Sequence, residues 1–69
     1  MWTVKMWEYD AVKNEVMLLP ERLWQKTRTR GEATARAMIW RDGGGTAQVI
    51  EDRTGRLIAE YSPIVEVER

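Results

Sequence analysis

Neither cysteine nor histidine occurs among the 69 residues, and that absence narrows how so short a chain can hold a fold. Disulfide staples and zinc-finger spacings are both excluded. A domain of about 60 residues buries only about 60% of the surface its unfolded chain exposes, so stability must come from packing or from a partner. One domain over residues 1–69 is expected, with no room for a second domain or a deep cleft. The same absence removes the commonest general base and the usual Cys/His and Ser/His catalytic pairs. Four tryptophans and no phenylalanine leave Trp2, Trp7, Trp24 and Trp40 to carry much of any core.

Net charge is zero, but it is unevenly spread. Between positions 22 and 41, six basic residues (Arg22, Lys26, Arg28, Arg30, Arg36, Arg41) face one acid, Glu32. Both flanks are acidic in compensation. Such a band is either an anion-binding face or a solvated surface balanced by acidic neighbours. The opening "MWTVKMWEYD" has no basic start followed by an apolar run, and no stretch nears 18 apolar residues. No signal peptide or transmembrane helix is therefore expected, and the cytoplasm is the expected compartment.

Trp2, Val4 and Met6 alternate with Thr3, Lys5 and Trp7, the period-two pattern of a strand over residues 2–9. Asn14 suits a turn because asparagine tolerates the left-handed conformation. "EVMLLP" then reads as a second strand, stopped at Pro20, which lacks the amide a ladder needs. Residues 21–30 read as a connection anchored on the core by Leu23 or Trp24. Thr29 and Glu32 form a capping-box pattern that opens a helix from about Arg30 to Arg41. At about 100° per residue, Ala33, Ala37 and Trp40 share the face expected on the sheet. Ala35, Met38 and Ile39 form a second apolar patch on the opposite side, which asks for a second neighbour.

Glycines 43–45 raise the question of phosphate binding. A phosphate loop runs strand, glycines, helix, because free amides and the positive helix end must point at the anion. Here the glycines follow the helix and no Gly-Lys-Ser/Thr succeeds them, so they are expected to end the helix. "TAQVIED" and "RLIAEY" flank "DRTG", which predicts a hairpin turning at Gly55 with a local bulge. After Pro63, "IVEVER" resumes a β-like alternation with Val65 and Val67 on one side. The expected architecture is α+β: strand, strand, helix, strand, strand, an antiparallel sheet with one helix across one face, and a possible short C-terminal fifth strand.

The stretch "TRGEATARAMIWRDGGGTAQVIEDRTGRLIAEYS" resembles the domain of unknown function 2188 family of small bacterial proteins. The likeness is carried by Thr29, Glu32, Ala33, Ala37, glycines 43–45, Gly55 and Arg56, and covers about half of the chain. Met38, Ile39 and Trp40 stand where that family usually has Glu and Ala. The resemblance implies a small α+β fold; it supplies no activity, because none is established for that family, and so no catalytic residue is carried over.

Catalysis is not expected. Asp42, Glu51 and Asp52 sit at or beside turns, where carboxylates are solvated rather than convergent on a substrate. They also lack the spaced run of acids that a calcium loop needs, and no cofactor or small-molecule substrate is inferred. The favoured expectation is a small protein-interaction or structural module, self-associating as a homodimer or binding another protein, through Ala35, Met38, Ile39, Val65 and Val67. The alternative is a nucleic-acid-binding accessory protein, with Arg22, Lys26, Arg28, Arg30, Arg36 and Arg41 on phosphates and Trp24 and Trp40 as stacking surfaces. An isoelectric point near 6.2 weighs against that alternative, since a dedicated binder usually exceeds about 9.

Overall fold

The alternation at the N-terminus forms a nine-residue strand, β1 (Trp2–Asp10), which becomes the hub of the sheet. The computed structural model describes residues 1–63. β1 turns through Asn14, whose φ of 54° is left-handed, into β2 (Glu15–Leu18). A 3₁₀ turn at Glu21–Leu23 separates β2 from β3 (Gln25–Thr27). The helix α1 (Arg30–Asp42) follows, then β4 (Thr46–Glu51) and β5 (Arg56–Tyr61). The sheet is antiparallel in the order β2-β1-β4-β5, with β3 also paired to β1. A single helix packs on one face, the expected α+β arrangement.

β3 is the element that sequence patterning assigned to a connection. β2 pairs only with Trp7–Asp10 of β1, which leaves the same edge of Trp2–Val4 without partners. Buried backbone groups must find hydrogen bonds, and Gln25, Lys26 and Thr27 supply them opposite Val4, Thr3 and Trp2. β2 and β3 thus act as one strand broken by an outward loop. The proposed C-terminal strand, with Val65 and Val67, lies outside the described residues.

Helix α1 begins as its cap predicts: the Thr29 hydroxyl accepts from the Glu32 amide at 3.1 Å. The Glu32 carboxylate meets the Thr29 hydroxyl at 3.5 Å. Gly43 closes the helix with an ordinary φ of −84°, and the left-handed residue is Gly44, at 101°. Ala33 and Ala37 face the sheet and meet Val4, Met6, Ala47 and Val49. Val4 lies opposite Val49 and Met6 opposite Ala47. The alanines allow the helix to approach closely, and the core is thin: its largest fully buried side chains are Val4 and Val49.

Trp40 locks the helix end. Its indole Nε1 donates to the Trp7 carbonyl at 2.8 Å, and the ring lies so close over Gly45 that a Cβ there would stand 2.2 Å from Nε1. Alternation in β5 is broken by a register shift between Val49 and Ile50. Leu57 therefore pairs with Ile50 and is exposed, while Ile58 packs on the core. Without the shift, simple period-two alternation would set Leu57 on the same face as Ala59 and Tyr61.

Candidate interaction surface

The helix covers the face of Val4, Met6, Ala47 and Val49, so the odd-numbered residues of β1 point the other way. By register, Trp7 and Tyr9 stand beside Leu18 and Val16 of β2. Trp7, Lys5 and Thr3 stand beside Thr46, Gln48 and Ile50 of β4, and Leu57 adjoins Ile50. No second helix or sheet among the described residues lies over this face. Tyr9, Val16 and Leu18 are each 48% exposed, and Leu57 is 51% exposed.

The charged groups of this face are already engaged. Lys5 places its Nζ 5.4 Å from the Trp7 ring centroid and 5.2 Å from that of Trp24, within the range of a cation–π contact. Trp24 is fixed by its indole N–H, which donates to the Leu19 carbonyl at 2.9 Å. Lys26 Nζ donates to the Thr3 hydroxyl at 2.7 Å and pairs with Asp52 at 3.4 Å. The Thr3 hydroxyl in turn donates to Asp52. That hydrogen bond is the main cause holding the Asp52 carboxyl below its ordinary value; desolvation, the next largest influence, opposes it, and the Lys26 hydrogen bond and charge, with the N-terminal ammonium, add to the lowering. The Gln48 amide donates to Glu60 at 3.0 Å. Two lysines and two carboxylates make the face neutral.

At one end, Tyr9, Asn14, Val16, Gly44, Thr46 and Pro63 line a cleft of about 370 Å³. The Tyr9 hydroxyl donates to Asn14, which ties the cleft wall to the β1–β2 turn.

Of the residues expected at an interface, Ala35, Met38 and Ile39 lie on the outer side of α1. Met38 is 38% and Ile39 70% exposed, and Ala35 is exposed as well. Val65 and Val67 fall outside the described residues. The basic band does not gather into one surface. Lys26 lies on the uncovered face, whereas Arg36 reaches from α1 to Gln25 Oε1 at 2.7 Å; Gln25 is opposite Val4, on the helix side. Arg41 pairs with Asp42 at 3.1 Å and lies 5.8 Å from the Tyr61 ring centroid. Arg22, Arg28 and Arg30 are exposed and make no ion pair among the described residues. Trp40, held by Trp7 and Gly45, is a structural residue.

Sequence patterning missed the Trp7–Lys5–Trp24 group. Lys5 and Trp7 are two apart on one strand and so share a face, a signal that was present. Trp24 joins them only because β3 returns to the edge of β1. Among the described residues, no group of three or more His, Cys, Asp or Glu is placed to hold a metal ion, and no helix is long and apolar enough to cross a membrane. No family model, curated protein or solved structure matches the chain. The likeness to the domain of unknown function 2188 family therefore rests on the quoted residues alone.

Proposed function

We propose that this chain is a small protein-interaction module that associates with itself and catalyses no reaction. The observation that carries the reading is the mismatch between core and surface. The buried core consists of Val4, Met6, Ala33, Ala37, Ala47 and Val49, three of them alanines, while Tyr9, Val16, Leu18, Leu23, Leu57 and Ile39 remain exposed. Burial of apolar surface stabilises by roughly 25 cal/mol per Å², and here much of the available side-chain area lies outside the core. A second copy or another protein would supply the missing burial. We place its action in the cytoplasm; among the described residues no helix is long and apolar enough to cross a membrane.

Sedimentation velocity over a hundredfold concentration range tests this. A dimer that dissociates on dilution is expected, and a monomer throughout would refute self-association.

The second reading is nucleic-acid binding, favoured by Arg22, Arg28 and Arg30, which make no ion pair among the described residues. Lys26 and Arg41 are already paired with carboxylates, and Trp40 is committed to the fold, so this reading draws on fewer groups than the sequence offered. Fluorescence titration with oligonucleotides at low salt separates the two readings. Binding that weakens steeply with salt would support the nucleic-acid reading.

A further inference from the structure

Self-association leaves open which surface is used, and the structure offers two apolar candidates. The first is the outer side of α1. Its large apolar groups are Met38 and Ile39, since Ala35 adds one methyl group, and exposed Glu32 and Asp42 interrupt it. A 13-residue helix rises about 20 Å and is about 10 Å across, so this strip covers roughly 200 Å². Specific dimers bury about 600–1,000 Å² per partner. The helix side falls well short.

The second candidate is the uncovered sheet face. Strands of nine, four, six and six residues, about 4.8 Å apart and rising about 3.3 Å per residue, give a flat footprint of roughly 400 Å². The side chains of Trp7, Trp24, Tyr9, Leu18 and Leu57 add relief to a footprint about twice that of the helix strip, so this face comes closer to what a specific dimer buries. Charge points the same way. Lys26 with Asp52, Lys5 with the two indoles and Glu60 with Gln48 are satisfied within one chain. Lys5 and Glu60 have no ion partner among the described residues, so where two such faces meet the lysine of one copy can pair with the glutamate of the other. A phosphate backbone would find few free cations there, because counterion-releasing contacts need lysines or arginines not already engaged.

We infer that a second copy of this chain covers the uncovered sheet face, forming a two-fold dimer in which the two sheets pack face to face and the helices lie outside. This inference rests on the self-association proposed above and adds its location. In such a sandwich the sheets stand about 10 Å apart. A two-fold axis sets each residue near the axis against its own copy or a close neighbour. Trp7, Leu18 and Val16 form an apolar patch at one corner and Ile50 with Leu57 another, on either side of the row Lys5, Gln48 and Glu60, and the Trp24–Lys5–Trp7 group is part of the buried surface.

The test compares the native protein with Leu18→Glu, Leu57→Glu and Ile39→Glu by sedimentation velocity, with circular dichroism confirming that each variant is folded. Leu18 and Leu57 are about half exposed in the single chain, so a carboxylate there can stay solvated in the monomer. Buried against a second copy it cannot, and truncations or charges at such positions cost several kcal/mol of association. Dissociation constants at least about 100-fold weaker are expected for both sheet variants, with Ile39→Glu unchanged. Leu57→Gln, a milder change, should weaken the dimer in the same direction and serves if a charged variant fails to fold. A native dimer that survives both sheet substitutions, or dissociates only with Ile39→Glu, overturns the location while leaving self-association intact. A native protein that is monomeric at every concentration overturns both, and quenching of its tryptophans by oligothymidine would assign this face to single-stranded nucleic acid instead.

Discussion

Gly45→Ala is the sharpest probe of how α1 is fixed to the sheet. An added Cβ would lie 2.2 Å from Trp40 Nε1 and 2.7 Å from both Cδ1 and Cε2, where non-bonded atoms normally stand about 3.5–4.0 Å apart. The indole must retreat by more than an ångström. A 2.8 Å hydrogen bond to the Trp7 carbonyl cannot survive that retreat. Overpacking costs about 1–3 kcal/mol and loss of the hydrogen bond about 1 kcal/mol. A chain of this size has roughly 3–10 kcal/mol of stability in all. At about 4–8 °C per kcal/mol, the melting temperature should fall by at least about 8 °C. Thermal melts followed by circular dichroism, at matched protein concentration because association shifts the midpoint, give the readout. Gly31→Ala is the control: nothing stands within 4 Å of its added Cβ, and alanine favours a helix over glycine. If Gly45→Ala melts within 2–3 °C (about half a kcal/mol) of the native protein, the contact between Trp40 and the glycine exit does not hold the helix, and the reasoning fails.

Two further outcomes follow from the same contacts. Trp40→Phe keeps a ring over Gly45 but removes the donor to Trp7; a loss of about 1 kcal/mol in urea unfolding is expected, and no loss would mean that the hydrogen bond contributes nothing. Asp52 is held below its ordinary range chiefly by the Thr3 hydroxyl and then by Lys26. A depressed folded value gives stability that is present above the unfolded value, about 3.9, and is lost as pH falls through the folded one. Asp52→Asn should therefore be less stable near neutral pH and should lose less on acidification below pH 4. Identical stability profiles across that interval would remove Asp52 from the account.

The parts of the fold that repeat locally were legible in the sequence. Val4 and Met6 alternate with solvent-side residues, Ala33, Ala37 and Trp40 recur at helical spacing, and Thr29 caps the helix. The parts that depend on distant pairing were not. β3 exists because β1 outruns β2, a fact of register that "QKT" does not carry in its own polar composition. Leu57 is exposed because a bulge opposite Ile50 changes its face, and no local pattern marks where the extra residue falls. The candidate surface shows the same division. The exposed patch at Met38 and Ile39 follows from helical geometry alone. The broader face of Trp7, Leu18 and Leu57 becomes visible only once four strands are set in register and the helix is known to cover the other side. Likewise, Lys26 lies on the uncovered face of β3 while Arg36 projects from α1, on the other side of the sheet.

The central claim, a second copy stacked on the uncovered sheet face, is tested most directly by small-angle X-ray scattering over a concentration series. The single chain has a radius of gyration of 12.1 Å and extents of 35 × 28 × 18 Å. Stacking through the thin direction, with sheets about 10 Å apart, separates the two centres by about 18 Å and gives a dimer radius near 15 Å. A scattering mass of two chains with a radius near that value is the predicted result. A radius near 12 Å at every concentration, or a two-chain particle extended to about 18 Å or more as edge-to-edge pairing requires, would contradict it.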